Sequence, residues 1–388
     1  MRVFHLQGQR VSERDALPDA LPDALPPQGF LWLALGRREF ELMQGEVQAR
    51  LHAWLRAPLV DLHVSDLLNN QLPSHFDYTA QYDILVIRRL AQGASETDLE
   101  APGRILHRSV QRGGPPVLRR IDTSPVGFAV FDRVLITVHP AVCPVRDGYA
   151  TRLLAWAEAY ARAGEDAAPA DVATAVRGAS GRHMPDSPAE LMLRLVSQMV
   201  DGYLDLRREL TRQLDHWQAE LLNPRTRFNN WGSLLDARLA LHQLDEICED
   251  QRAALQDWIE ALNAWSPEDV ATGERGLELL KVRSRDVLEH IERVVHHVRR
   301  LEQSAEAAVQ MHFSAQSHRA NDIMRTLTVL TAIFLPLNLI AGIFGMNFDF
   351  IPLLHEQGGF WLTMAGMVLV AVGLSLFFWR KRYLEHGR

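Results

Sequence analysis

Two long apolar runs near the end of the chain set that region apart from everything before it. Residues 326–346 and 360–379 contain no Asp, Glu, Lys or Arg. Each run has about 20 residues, the length that a helix needs to cross a bilayer core of about 30 Å. Because both runs follow a strongly charged region, the pattern predicts two transmembrane helices rather than two buried core helices.

The charges that flank these runs predict their orientation. Arg319 and Arg325 precede the first run and basic residues fill 380–382, whereas the connecting segment 347–359 has no Lys or Arg. Cytoplasmic flanks are enriched in Lys and Arg. We therefore expect a protein of the inner (plasma) membrane with both termini in the cytoplasm and the connecting segment outside.

The first run carries a stripe of small and polar residues that the second run lacks. Thr328, Leu335, Asn338 and Gly342 follow one another at steps of 7, 3 and 4, which places them on one helix face. Two interpretations stay open: the face lines a pore that several copies enclose around an axis, or it packs helices together. Pro336 predicts a local gap in the hydrogen-bond ladder of this helix.

The region before the runs alternates between strand-like and helical patterns. Runs rich in β-branched and aromatic residues cover 2–6, 30–35, 82–90 and 126–139. The last run contains Asp132-Arg133 as a predicted hairpin turn, and 40–55 reads as a helix. The repeat ALPDALPDALPP at 16–27 predicts a Pro-rich linker or surface excursion and not a helix or strand. These signals predict an α/β domain.

Helical signals dominate from residue 187 onward. Ser-Pro-Ala-Glu at 187–190 is an N-cap signal for a helix to about residue 222, and a second helix is predicted over 234–264. Apolar residues then recur at steps of 3 and 4, with no Gly or Pro between Leu277 and Pro336. The predicted segments are a cytoplasmic α/β domain (1–165), a cytoplasmic helical region (166–275), a stalk helix (276–325), a first transmembrane helix (326–346), an external loop (347–359), a second transmembrane helix (360–379) and a basic cytoplasmic tail (380–388).

Composition excludes several functional classes. The chain has 41 Lys and Arg against 48 Asp and Glu, a formal charge of −7, which argues against a nucleic-acid partner. Two cysteines, Cys143 and Cys248, rule out a disulfide framework and are expected to be reduced. The sequence has no P-loop, zinc-protease, nucleophile-elbow or dinucleotide motif. We therefore expect no enzymatic activity and no bound cofactor.

The first run ends in Gly345-Met346-Asn347, within IAGIFGMNFDFIP. This tripeptide, followed by a charge-poor loop, a second span and a basic tail, resembles the signature of the CorA-type divalent-cation transporters, a two-span family. Residues 321–324, 334–337 and the FDRVLITVHP stretch at 131–140 resemble the family as well. The resemblance covers nearly the whole chain and is strongest over 270–384.

The resemblance implies a fold class and a set of partners. The fold is α+β: an N-terminal cytoplasmic α/β domain and a long stalk helix that continues into a two-helix transmembrane region, in a funnel-shaped homopentamer. The partners are further copies of the chain, the lipid bilayer and divalent cations. The function implied is uptake of Mg²⁺, and also of Co²⁺ or Ni²⁺, through a pentameric pore that cytosolic Mg²⁺ gates.

The resemblance also assigns roles to particular residues. The selectivity mouth is Gly345, Met346 and Asn347. The pore-lining positions are Asn321, Met324, Thr328, Leu335, Asn338 and Gly342. Asp286 corresponds in part to the acids that sense cytosolic metal, and Glu289 lies beside it. Amide oxygens suit a hydrated Mg²⁺ ion, which holds its waters tightly.

Two departures from the family pattern affect regulation and the outer mouth. Many relatives carry Glu after the loop proline, whereas this chain has Leu353 there. An outer acidic ring would therefore come from Asp349 or Glu356. An acid that some relatives carry in the pore helix is Gln310 in this chain.

Two alternative functions remain open. The first alternative is transport of zinc, as in the ZntB-like branch. Five histidines on the long helix support it, because imidazole suits zinc better than magnesium. They are His290, His296, His297, His312 and His318. The second alternative is a scaffold or sensor that its two spans merely anchor in the membrane.

Overall fold

The chain forms two compact units. One comprises residues 1–220 and 225–305, and the other residues 221–224 and 306–388. The computed structural model describes residues 1–14, 21–91, 123–163, 184–222, 231–266, 273–346 and 358–380.

A seven-stranded sheet is the centre of the first unit. Its strands are β1 (Arg2–Gln7), β2 (Arg10–Arg14), β3 (Phe30–Gly36), β4 (His75–Tyr78), β5 (Asp83–Leu90), β6 (Thr123–Val130) and β7 (Val134–His139). The order is β2-β1-β3-β7-β6-β5-β4, and only β3 and β7 are parallel. The predicted strand runs and the hairpin turn at residues 131–133 are confirmed, whereas β2 and β4 were not predicted.

Seven helices accompany the sheet within the described residues. They are α1 (Arg37–Leu55), α2 (Asp61–Leu68), α3 (Pro144–Ala163), α4 (Pro188–Leu222), α5 (Trp231–Ala264), α6 (Gly273–Phe344) and α7 (Gly359–Arg380). One sheet face packs on α1 and α2 through Phe40, Val47 and Val64. Trp32, on the other face, meets Tyr149 of α3 edge to face. Because both faces are covered, every residue of β3 is buried.

The predicted N-cap of α4 is confirmed in detail. The Glu190 backbone N–H donates to Ser187 Oγ at 3.2 Å, and the Asp186 N–H donates to Glu190 Oε2 at 2.9 Å. These bonds satisfy donors that a helix start leaves unpaired. They explain why the helix begins where the sequence signal lies.

One end of the Pro-rich repeat packs into the core of the first unit. Its described part, residues 21–27, contains no helix or strand. Leu21 is nevertheless only 3% exposed and belongs to the core, and Trp54 Nε1 donates to the Pro22 carbonyl at 3.1 Å. The expectation that this stretch forms no regular element is confirmed for residues 21–27, whereas Leu21 and Pro22 are buried in the domain and not on its surface. Residues 16–20 lie outside the described residues.

Helix α6 has 72 residues and continues without interruption through Pro336. Its C-terminal part and α7 are long and apolar enough to cross a membrane, which agrees with the two predicted spans. Cys143 and Cys248 are free and buried. Burial raises the pKa of the Cys248 thiol to about 12 and raises that of Cys143 as well, so both are unreactive thiols.

Candidate ion pathway and acid site

The six predicted pore-lining side chains lie on an exposed face of α6. Met324 is 61% exposed and Leu335 is 68% exposed. The span also has a less exposed stripe, formed by Val329, Ala332, Ile333, Pro336, Leu337, Ile340 and Phe344. A helix turns about 100° per residue, so this stripe lies on a different side from five of the six positions, whereas Asn321, one helical segment earlier, projects close to the Ala332 edge of the stripe. One copy of the chain therefore leaves the predicted pore face uncovered.

Threonine hydroxyls in the first span bond to their own helix. Thr326, Thr328 and Thr331 each donate to the backbone carbonyl four residues earlier, at 2.9, 2.8 and 2.8 Å. Each hydroxyl proton is therefore donated to the helix backbone, and the hydroxyl oxygen keeps lone pairs that can accept hydrogen bonds. Thr328 therefore presents an acceptor on the exposed face, which suits the water shell of a cation.

The helix ends at the predicted selectivity mouth. The Gly345 N–H donates to the Ala341 carbonyl at 2.9 Å, and the Met346 N–H donates to the Ile343 carbonyl at 3.3 Å. A Cβ on Gly345 would lie 3.1 Å from the Ala341 oxygen, which is a tight contact. Asn347, Asp349 and Glu356 lie outside the described residues.

The two predicted metal-sensing acids have different neighbours on α6. Glu289 Oε1 lies 2.6 Å from the Arg293 guanidinium, and this hydrogen bond lowers the pKa of Glu289. The Asp286 side chain is 61% exposed, and its Oδ1 lies 3.8 Å from His290 Nε2. Glu289 is therefore engaged by a cation of its own helix, whereas Asp286 faces an imidazole.

A third carboxylate, which sequence reasoning missed, approaches the same imidazole. Asp201 Oδ1 on α4 lies 4.0 Å from His290 Nδ1. Asp201 and Asp286 both line a cavity of about 180 Å³, together with Arg152, Arg194 and Arg283. No group of three His, Cys, Asp or Glu residues that could hold a metal occurs among the described residues. The described residues thus bring Asp201 and Asp286 to one imidazole beside three arginines, without forming a three-ligand metal site.

Two of the five α6 histidines are engaged in hydrogen bonds with neighbouring side chains. Thr211 Oγ1 donates to the Arg207 carbonyl at 2.9 Å, so His297 Nε2 donates to Thr211 Oγ1 at 2.8 Å. Burial, followed by the charges of Arg207 and Arg300, lowers the pKa of His297. His312 Nε2 lies 3.0 Å from Gln316 Nε2. These contacts give His297 and His312 structural partners.

The chain has a sheet-based domain followed by two apolar helices, and the first of these continues a long polar helix. This arrangement defines the class of two-span membrane proteins. The profile of the family described as CorA-like Mg²⁺ transporter protein matches residues 47–382. The chain therefore belongs to the CorA-like family.

Curated relatives match parts of the chain. The cobalt/magnesium transport protein CorA of Thermotoga maritima is 26% identical over 194 residues, which are 50% of this chain and 52% of that protein. The magnesium transport protein CorA of Escherichia coli K12 is 27% identical over 208 residues, 53% of this chain and 63% of that protein. The putative metal ion transporter YfjQ of Bacillus subtilis is 42% identical over 69 residues, 18% of this chain and 22% of that protein. The chain thus matches less than two thirds of each relative.

Solved structures share the fold over nearly the whole chain. The full-length CmaX protein has a TM-score of 0.64 at 18% identity, covering 98% of this chain and 97% of that one. The CorA magnesium transporter of Methanocaldococcus jannaschii has a TM-score of 0.62 at 14% identity, with 98% of both chains covered. The ZntB cytoplasmic domain of Vibrio parahaemolyticus has a TM-score of 0.50 at 12% identity, covering 82% of this chain and 98% of that one. At these identities the likeness shows the fold alone.

Proposed function

We propose that this protein conducts divalent cations into the cell, with Mg²⁺ as the main ion and Co²⁺ and Ni²⁺ as further ions. Membership of the CorA-like family and the names of the relatives, which carry magnesium or cobalt transport, support this function. One structural observation carries it: the six candidate pore-lining positions form an exposed face on the first span.

Five copies of the chain would bring these faces together around an axis. A single helix cannot enclose a path for ions, and cyclic symmetry closes such a path with one repeated contact. Exposed Asn321 and Asn338 suit a water-filled interior, since polar side chains facing lipid are costly. The termini then lie in the cytoplasm, as the flanking Lys and Arg residues favour.

The chemistry of the lining suits a hydrated ion. Amide oxygens of Asn321 and Asn338 and the Thr328 hydroxyl oxygen accept hydrogen bonds from the waters of the ion without replacing them. Rings of Met324 and Leu335 would form apolar constrictions, where loss of water closes the path. Along the pore, rings of hydrogen-bond acceptors would therefore alternate with apolar constrictions.

The outer mouth is proposed to be Gly345, Met346 and Asn347. Helix α6 ends at Phe344, directly before Gly345 and Met346, which supports a mouth at this end of the helix. Five Asn347 amides would select the hydrated ion, because neutral oxygens bind it weakly enough for release. Asp349 and Glu356 would attract cations to this mouth.

Cytosolic Mg²⁺ is proposed to gate the pore through Asp286, with Glu289 as the weaker candidate. Acids at subunit contacts repel one another until a divalent cation bridges them. High Mg²⁺ then favours the closed assembly, and low Mg²⁺ releases it, as a shift between two populations. Transport of Zn²⁺ is the second candidate, favoured by the fold similarity to a ZntB domain.

Flux into proteoliposomes tests the proposed function. Mg²⁺ uptake by the intact protein is expected to fall to background in Asn347→Ala, while the oligomer persists on size exclusion. Asn263→Ala, at an exposed position of α5, is the matched control and is expected to retain full flux. Absence of Mg²⁺ flux in the intact protein would instead support the anchored scaffold. Uptake of Zn²⁺ without Mg²⁺ would support the ZntB-like alternative.

A further inference from the structure

A second cavity, of about 580 Å³, lies in the first unit away from the residues assigned to the ion pathway. Residues at the start of β5, the end of β6 and the start of α4 line it, together with Trp265. Its volume falls within the range of about 300 to 1,000 Å³ that small-molecule sites occupy. The cavity is therefore large enough for an organic ligand.

Asp83 is a buried carboxylate that lines this cavity. The residue is 8% exposed, and its backbone pairs with Tyr78 of β4 and Val130 of β6. Among the described residues, the carboxylate has no hydrogen-bond or ion-pair partner. Burial, followed by the charge of Asp132, raises the pKa of Asp83 to about 7. An ionised carboxylate in such a place is costly unless a cation neutralises it.

The charge of the cavity wall is one-sided. Asp132, on the turn between β6 and β7, lines the same cavity as Asp83, and the described lining contains no Lys, Arg or His. The Thr79 hydroxyl is already used within its own turn, because it donates to the Tyr82 carbonyl at 3.0 Å and accepts from the Tyr82 N–H at 3.1 Å. The described wall therefore presents carboxylates and no side-chain cation, a combination that favours a positively charged ligand.

Three features favour an organic cation over a metal ion. The described residues contain no group of three His, Cys, Asp or Glu that could hold a metal. Six waters around Mg²⁺ would take up about 180 Å³ at about 30 Å³ each, much less than the cavity. Phe131, Trp265 and Leu280 supply aromatic and aliphatic walls, which suit a hydrocarbon body and a cation over an aromatic face.

We propose that this cavity binds a small aliphatic ammonium compound, with Asp83 as the carboxylate that pairs with the ammonium group and Asp132 as the second anion. The apolar walls hold the carbon chain. This site is separate from the proposed ion pathway, because no described residue of the membrane spans is among those that line it.

Calorimetric titration of the full-length protein in detergent with putrescine, at constant ionic strength, tests the site. Saturable binding is expected for the intact protein and for the surface control Asp257→Asn. The dissociation constant for putrescine is expected to rise at least tenfold in Asp83→Asn. It is expected to rise in Asp132→Asn as well, and this substitution should not disturb folding because Asp132 is exposed. Thermal unfolding verifies that each variant is folded.

Three outcomes would overturn the proposal. One is the absence of saturable putrescine binding by the intact protein. Another is binding of equal affinity in the intact protein, Asp83→Asn and Asp132→Asn. The third is binding of MgCl₂, but not of putrescine, that depends on Asp83, which would make the cavity a metal site instead.

Discussion

The Glu289 carboxylate lies 2.6 Å from the guanidinium of Arg293, one turn further along α6. A divalent cation that binds Glu289 must therefore displace an existing partner. Asp286 makes no such hydrogen bond to a guanidinium among the described residues, although its charge helps to raise the pKa of Arg293, and its Oδ1 lies 3.8 Å from His290 Nε2. The two acids, which the sequence places side by side, consequently differ in their availability to a cation.

This difference predicts unequal effects in a protection assay. Added Mg²⁺ is expected to protect the stalk of the intact protein from protease, and Asp286→Asn should weaken this protection several-fold because it removes the available carboxylate. Glu289→Gln should change it by less than twofold, since Arg293 already engages that side chain. The measurement is the Mg²⁺ concentration for half-maximal protection. Equal protection in Asp286→Asn and the intact protein would remove Asp286 from the sensing role.

A second prediction concerns stability and pH. The folded-state pKa of Asp83, about 7, lies above the ordinary value of 3.8, so ionisation destabilises the fold. Its contribution is most favourable below about pH 4 and is lost as the pH rises through about 7. The full difference amounts to at most about 4 kcal/mol.

Thermal unfolding measures this effect. The melting temperature of the intact protein, without added amines, is expected to fall relative to that of Asp83→Asn between about pH 5 and about pH 8. Asp257→Asn, which alters an exposed acid, should follow the intact protein. Parallel pH profiles for the intact protein and Asp83→Asn would contradict the raised pKa.

A third prediction concerns a buried hydrogen-bond network between side chains of β3 and β7. Trp32 Nε1 donates to Thr137 Oγ1 at 2.9 Å, and His139 Nε2 lies 2.7 Å from the same oxygen. Thr137→Val would leave both buried groups without this partner, at a cost of about 3 kcal/mol. Thr137→Ser keeps the hydroxyl and should cost only about 1 kcal/mol. Chemical denaturation measures both values, and equal losses in the two variants would show that the hydroxyl contributes nothing.

The elements that the sequence predicted are those whose pattern is strong and local. The two spans follow from uncharged runs of sufficient length, and the start of α4 follows from a capping signal at Ser187 and Glu190. The strands β2 and β4 were missed because they are short and carry exposed polar residues. The burial of Leu21 could not be anticipated, because it arises from tertiary contacts with the core and not from any local pattern in the repeat.

The acids of the candidate sites show where sequence reasoning ends. Asp286 was predicted through a family motif, whereas Asp201 approaches His290 from another helix and no local spacing joins the two. Asp83 lies in a run of β-rich residues and resembles an ordinary strand-end acid. Its burial and its lack of a described partner are tertiary properties of a cavity that the first residues of α4 and Trp265 also line.

Cysteine accessibility in the first span tests the central claim, that the exposed face of α6 lines a water-filled path. Cys143 and Cys248 are buried thiols with raised pKa values, so they are expected to react little with a thiol reagent. Asn338→Cys lies on the exposed face and Leu337→Cys on the less exposed stripe. A membrane-impermeant, charged thiol reagent is expected to block Mg²⁺ flux in Asn338→Cys and to leave Leu337→Cys conducting. Block of Leu337→Cys with Asn338→Cys unaffected, or equal insensitivity of both variants, would contradict the account.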